Sequence, residues 1–120
     1  MDFRKQQPIY MQIADVLLED ILARKISDGD KIPSVREMAL AVQVNPNTVQ
    51  RSYQWLQDEN IIHQKRGIGF YLSEGVYEKT VSLKKSEFIK DILPDTIRQM
   101  KLLGISIEDL KKHMEEAKNY

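Results

Sequence analysis

A mainly α-helical chain carrying one small β-hairpin is predicted by three observations in these 120 residues. Apolar residues recur at three- and four-residue steps from Tyr10 to Ile21. Two further helix starts, at Ser34 and Asn45, lie so close that only a few residues can separate their helices. Then IIHQ, KRGIG and FYLS place two glycines between β-branched and aromatic flanks, as strand, turn and strand. Three helices followed by such a hairpin make a winged helix.

Each element has its own cause. Pro8 suits the opening of a helix, and Tyr10, Ile13, Ala14, Leu17, Leu18 and Ile21 fall on one face, with Gln12, Asp15 and Glu19 opposite. This first helix is expected to run to about Arg24. SDGDKIP then reads as a turn, closed by Pro33. Ser34 and Glu37 form an S-x-x-E capping box, which predicts a short second helix to about Ala41 with Val35, Met38, Ala39 and Val42 inward. In VNPNTVQRSYQWLQDEN, Asn45 can cap and Pro46 suits the first position of a third helix. The spacing is that of a helix-turn-helix, and Asn60 is a left-handed stop. After Ser73 the character changes. EGVYEKT reads as a link to a helical segment that Pro94 should kink or split; Gly104 should end it, and Ser106 to Asp109 caps a last helix to about Ala117. We therefore expect a winged helix-turn-helix domain over 1–77 and a helical tail over 78–120.

Composition excludes several classes. With 42% hydrophobic and 30% charged residues the chain is neither disordered nor membrane-embedded, and no apolar run approaches the roughly 20 residues a bilayer span needs. MDFRKQQP has no apolar segment behind its basic residues and cysteine is absent, so a cytoplasmic location is expected. The formal net charge is zero, yet from Lys31 to Tyr71 the bases Lys31, Arg36, Arg51, Lys65 and Arg66 outnumber the acids Glu37, Asp58 and Glu59. The acids that precede this window, Asp15 to Asp30, would have to face away from any polyanion.

On the third helix Val49, Ser52, Tyr53 and Leu56 share one side, and Asn47, Gln50, Arg51, Gln54 and Asp58 the other. Two amides and a guanidinium near a helix N-terminus are the groups that can pair with base edges in a major groove. An isolated helix with such a face is more often simply solvated; the helix before it and the hairpin after it favour a face that reads DNA. KRGIG could equally cradle a phosphate, but a dinucleotide loop needs a third glycine with a strand before and a helix after, and here a strand follows. On a hairpin tip, Gly67 and Gly69 allow close approach to a sugar-phosphate wall, with Lys65 and Arg66 supplying charge. A plain hairpin turn with incidental charge stays open.

The stretches PIYMQIADVLLEDI, GDKIPSVREMALAVQVNPNTVQRSYQWLQDENII and RGIGFYLSEG resemble the DNA-binding domain of GntR-type bacterial transcription regulators, over about Gln7 to Gly75. The short tail is most similar to the YtrA subfamily, where it implies a dimerisation element. The resemblance implies that Ser34 and Arg36 contact DNA at the start of the second helix. It also implies that Asn47, Thr48, Gln50 and Arg51 are recognition-helix positions, and that Gly67 and Gly69 are the wing glycines. Several relatives carry arginine where Gln50 stands, and glycine is usual at Asn60, whose left-handed conformation asparagine also accepts.

Phe88, Ile89, Ile92, Leu93, Ile97, Met100 and Leu103 form more apolar surface than one helix can leave in water, so a second subunit is the natural cover. The expected protein is a homodimeric repressor on a palindromic double-stranded operator, with no catalytic residue, cofactor or metal. His63 and His113 have neither cysteines nor clustered carboxylates with which to hold zinc. Two alternatives remain at this point: a winged-helix scaffold for protein contacts, and a small nucleotide-binding enzyme.

Overall fold

The structure is a computed structural model that describes residues 7–117, and these divide after Lys84 into two compact units. In the first unit α1 spans Ile9–Leu22, α2 Val35–Val42 and α3 Pro46–Asp58. Ile13, Ala14, Leu17, Leu18 and Ile21 are the buried stripe of α1, facing Met38 and Ala39 of α2 and Val49, Ser52, Tyr53 and Leu56 of α3. Burying each large side chain is worth about 1.5–3 kcal/mol, enough to set the packing.

The helix ends follow their expected chemistry. Ser34 Oγ accepts from the Glu37 N–H at 3.1 Å while the Glu37 carboxylate accepts from the Ser34 N–H at 2.8 Å. The Ser34 N–H, and after it the Ser34 hydroxyl, hold the Glu37 carboxyl below its ordinary range. Asn45 caps α3 by accepting from the Asn47 N–H, and Asn60 takes the left-handed conformation. Gln43 also turns left-handed, making the tight corner between α2 and α3.

Beside the expected hairpin of β2 (Ile62–Lys65) and β3 (Gly69–Leu72), a third strand appears. β1 (Lys31–Ile32) pairs antiparallel with the free edge of β3, Lys31 opposite Tyr71 and Ile32 opposite Phe70, giving the order β1-β3-β2. Two residues are too few to show a period of two, so this strand is set by the edge it fills. The segment EGVYEKT also differs from expectation: from Val76 on it is helix, the start of α4 (Val76–Glu87). Val76 and Thr80, one turn apart, are fully buried, and Tyr77 and Leu83 pack on the same core. The cap of α4 comes from afar. Asp28 accepts from the Gly75 and Val76 N–H groups at 2.8 and 3.1 Å, and these bonds hold its carboxyl below the ordinary range.

In the second unit the last residues of α4 run into a π-helical turn, Phe88–Ile92, where the Leu93 N–H bonds to the Phe88 carbonyl. Pro94 lies two residues beyond; it can donate no N–H and its ring crowds the carbonyl four residues back, so the helix widens there. Then α5 (Leu93–Leu103) ends at left-handed Gly104, and α6 (Ile107–Glu116) starts from the capping box of Ser106 and Asp109.

Candidate nucleic-acid interface

The residues singled out in the sequence fall on three elements of the first unit. Ser34 and Arg36 lie at the exposed start of α2, and Asn47, Gln50 and Arg51 on the exposed side of the first turns of α3, with Thr48 half-buried. Lys65, Arg66 and Gly67 are exposed at the wing, and Gly69 is half-buried beside them. The tail positions are a separate set. Phe88, Ile89, Ile97 and Leu103 are exposed, while Ile92, Leu93 and Met100 are half-exposed.

The support beneath the polar side chains is rigid. Tyr53, fully buried on α3, donates its hydroxyl to the Pro33 carbonyl at 2.6 Å, just before the α2 cap. Its ring meets Phe70 of β3 edge-on, with centroids 5.0 Å apart. One side chain thus ties α3 to the start of α2 and to the wing. Burial, and after it the nearby Glu37, push the phenol far up, so it stays a donor throughout the physiological range. Ser52, also buried, donates to the Tyr10 carbonyl at 2.6 Å and pins α3 to the first turn of α1.

Charge is distributed so that the one acid on α2 is spent locally. Glu37 is engaged by the Ser34 N–H, whereas Arg36 beside it is exposed. Ser34 Oγ accepts from the Glu37 N–H, and its hydroxyl also stabilises the Glu37 carboxylate. At the wing the Ile68 N–H closes a turn onto the Lys65 carbonyl at 2.9 Å, and Gly67 and Gly69 have φ of 73° and 139°, which side chains rarely accept. Lys65 Nζ stands 4.3 Å from the centre of the Tyr71 ring.

Two participants were not legible from the sequence. A β-carbon at Gly69 would come within 3.1 Å of Lys31 Cε, so the Lys31 side chain lies across the wing at that glycine and brings a further ammonium to it. Only the pairing of β1 with β3 places it there. Tyr10, counted among the apolar face of α1, is half-buried and lies under the Arg51 guanidinium, 4.1 Å from ring centre to Cζ. Trp55 and Met38, by contrast, pack in or against the core as expected of them. Among the described residues no group of acidic, histidine or cysteine side chains could hold a metal ion, and no helix is long and apolar enough to cross a membrane.

Such a surface, with amides and cations on a rigid helical frame beside a glycine-tipped hairpin, suits a polyanion with readable edges. The sequence profile of "Bacterial regulatory proteins, gntR family" matches residues 9–72. The chain is 38% identical over 116 residues to the HTH-type transcriptional repressor YtrA of Bacillus subtilis, covering 97% of this chain and 88% of that one. It is 37% identical over 108 residues to the HTH-type transcriptional regulator YhcF of the same organism, covering 90% and 88%. A solved GntR-family regulator from Bacteroides thetaiotaomicron is similar in structure, with a TM-score of 0.76, 43% identity and coverage of 91% of this chain and 95% of that one.

Proposed function

We propose that this chain, which belongs to the gntR family of bacterial regulatory proteins, acts in the cytoplasm as a homodimeric repressor on a palindromic operator. Membership makes it a DNA-binding transcriptional regulator of the helix-turn-helix class, in a family of regulators and not of enzymes. The observation that carries the finer reading is the separation of two surfaces: exposed polar and basic side chains on α2, α3 and the wing, and exposed apolar ones on the tail. The repressor role is carried by likeness to YtrA, named a repressor.

In this account α3 enters the major groove, with Asn47, Thr48, Gln50 and Arg51 toward the DNA. Ser34 and Arg36 meet it from the start of α2, and Lys65, Arg66, Gly67 and Gly69 from the wing. Phe88, Ile89, Ile92, Leu93, Ile97, Met100 and Leu103 bury against a second copy. Two recognition helices related by a two-fold axis then meet half-sites about one helical turn, roughly 34–36 Å, apart.

Selection from pooled random duplexes, followed by sequencing, should enrich a palindrome, and light scattering should give a dimer. No enrichment together with tight capture of a protein partner would instead favour an interaction scaffold. Because the wing contributes mainly through counterion release, Lys65→Ala and Arg66→Ala should each flatten the plot of log affinity against log salt by about 0.9. Slopes equal to the wild-type value would take the wing off the DNA.

A further inference from the structure

Arg51 is not a free arm on the polar face of α3. Its guanidinium lies over the Tyr10 ring at 4.1 Å, a cation–π distance, and no carboxylate among the described residues is within 4.0 Å of it. Among the described residues an aromatic ring, not an acid, holds this charge. The backbone that carries the ring is held: the Tyr10 carbonyl accepts from the hydroxyl of Ser52, which is fully buried and adjoins Arg51 in sequence. Ring and guanidinium therefore sit on two helices that are bonded together at that point.

The placement bears on what Arg51 can reach. At 100° per residue, Asn47 and Gln54 lie near the middle of the polar face, with Gln50 at the edge toward Tyr53 and Arg51 at the edge toward Ser52, hence toward α1. In helix-turn-helix docking the middle of the helix faces the groove floor and its edges face the sugar-phosphate walls. A guanidinium held over a ring by cation–π attraction still has N–H donors to offer an acceptor beside it. To read a base it would have to leave the ring; to bind a wall phosphate it need not.

We propose that Tyr10 is a positioning residue for DNA binding, its ring holding the Arg51 guanidinium at the α1 edge of the polar face as a clamp on backbone phosphate. Base reading on α3 then falls to Asn47, near the middle of that face. This rests on the docking of α3 proposed above.

The test uses the full chain and the variants Tyr10→Phe, Tyr10→Leu, Arg51→Ala and the Tyr10→Leu/Arg51→Ala double. Each is titrated by anisotropy against a duplex enriched from the random pool and against a scrambled duplex of equal length, over a range of salt. Tyr10→Phe keeps the ring and should bind as the wild type does. Tyr10→Leu should weaken both duplexes by about 2- to 5-fold, the size of an exposed cation–π contact. Arg51→Ala should weaken both equally and lower the salt slope by about 0.9, and the double variant should be no weaker than Arg51→Ala alone. Wild-type affinity in Tyr10→Leu, or additive losses in the double, would overturn the positioning role. A loss in Arg51→Ala confined to the enriched duplex, with preference relaxed at one base pair, would make Arg51 a base reader and overturn the clamp. A wild-type chain that binds neither duplex overturns the DNA-binding reading and this inference with it. The Ser52 bond goes to main chain and survives in Tyr10→Leu; should that variant not melt cooperatively, Tyr10→Met makes the same comparison.

Discussion

Every buried apolar side chain among the described residues lies before Lys84, in the winged-helix unit, and none of residues 85–117 is buried. Yet the second unit is no less helical, and its helix ends are as well marked: Gly104 is left-handed, Ser106 and Asp109 form a capping box, and Asp95 binds Arg98 and Gln99. Local signals suffice to say where a helix starts and stops, but they contribute little to holding helices together. The first unit has a core of its own. The second exposes Leu102, Leu103 and Ile107 at over 70% each, beside the exposed Phe88 and Ile89, apolar surface that no other described residue of this unit buries. In the proposed dimer a second copy supplies that partner.

The sharpest way to break the comparison is to separate the units. Truncation after Glu87 keeps the whole of α4 and should leave a monomer that melts cooperatively and retains half-site preference. It should bind the full operator about 100- to 10,000-fold more weakly, because two linked half-sites act at an effective concentration on the order of millimolar. A truncated protein that stays dimeric, or keeps full operator affinity, removes the tail from the assembly. One that melts without cooperativity shows that the first unit does not stand by itself.

A matched pair of substitutions gives the next largest difference. Leu56→Ala empties a fully buried site on α3 and should cost about 2–5 kcal/mol of unfolding free energy. Leu103→Ala, at a site 72% exposed, should leave the melting of the truncatable first unit unchanged and shift only the concentration at which the chain dimerises. Equal effects of both on thermal unfolding at high dilution would mean that the two units are not built differently.

The smallest effect concerns the two carboxylate caps. Asp28 caps α4 from 47 residues away and Asp109 caps α6 from within its own first turn, and backbone N–H donors lower both carboxyls. A carboxyl lowered in the folded state contributes stability that is present above its unfolded value, about 3.9, and is lost as pH falls through the folded one. The protection of the Gly75 and Val76 amides, measured against their intrinsic exchange rates, should therefore fall below about pH 4. In Asp28→Ala that protection should be low at every pH, while α6 keeps its own acid response. Exchange at Gly75 and Val76 that ignores both acid and Asp28→Ala would place their protection elsewhere.

Those caps also mark the limit of what a sequence discloses. Ser34 with Glu37, Asn45 with Pro46, Ser106 with Asp109 and left-handed Gly104 were all legible, because each joins residues no more than three apart or requires only one backbone conformation. The stripes of α1 and α3 were legible because a helix repeats every 3.6 residues, so which side packs and which side faces out follows from spacing alone. The polar set Asn47, Gln50 and Arg51 was found in this way. What spacing could not supply was any contact between distant segments. β1 exists because β3 has a free edge; α4 starts where Asp28 reaches Gly75 and Val76, in a stretch that reads locally as a link. Lys31 joins the wing only through its pairing with Tyr71, and Tyr10 becomes the seat of Arg51 only once Ser52 bonds to its carbonyl. The helices, their faces and the glycine-tipped wing follow from short-range sterics and hydrogen bonds, which residue spacing reveals. Which side chains support that face depends on long-range contacts, because loop closure brings together residues whose sequence separation carries no signal of their meeting.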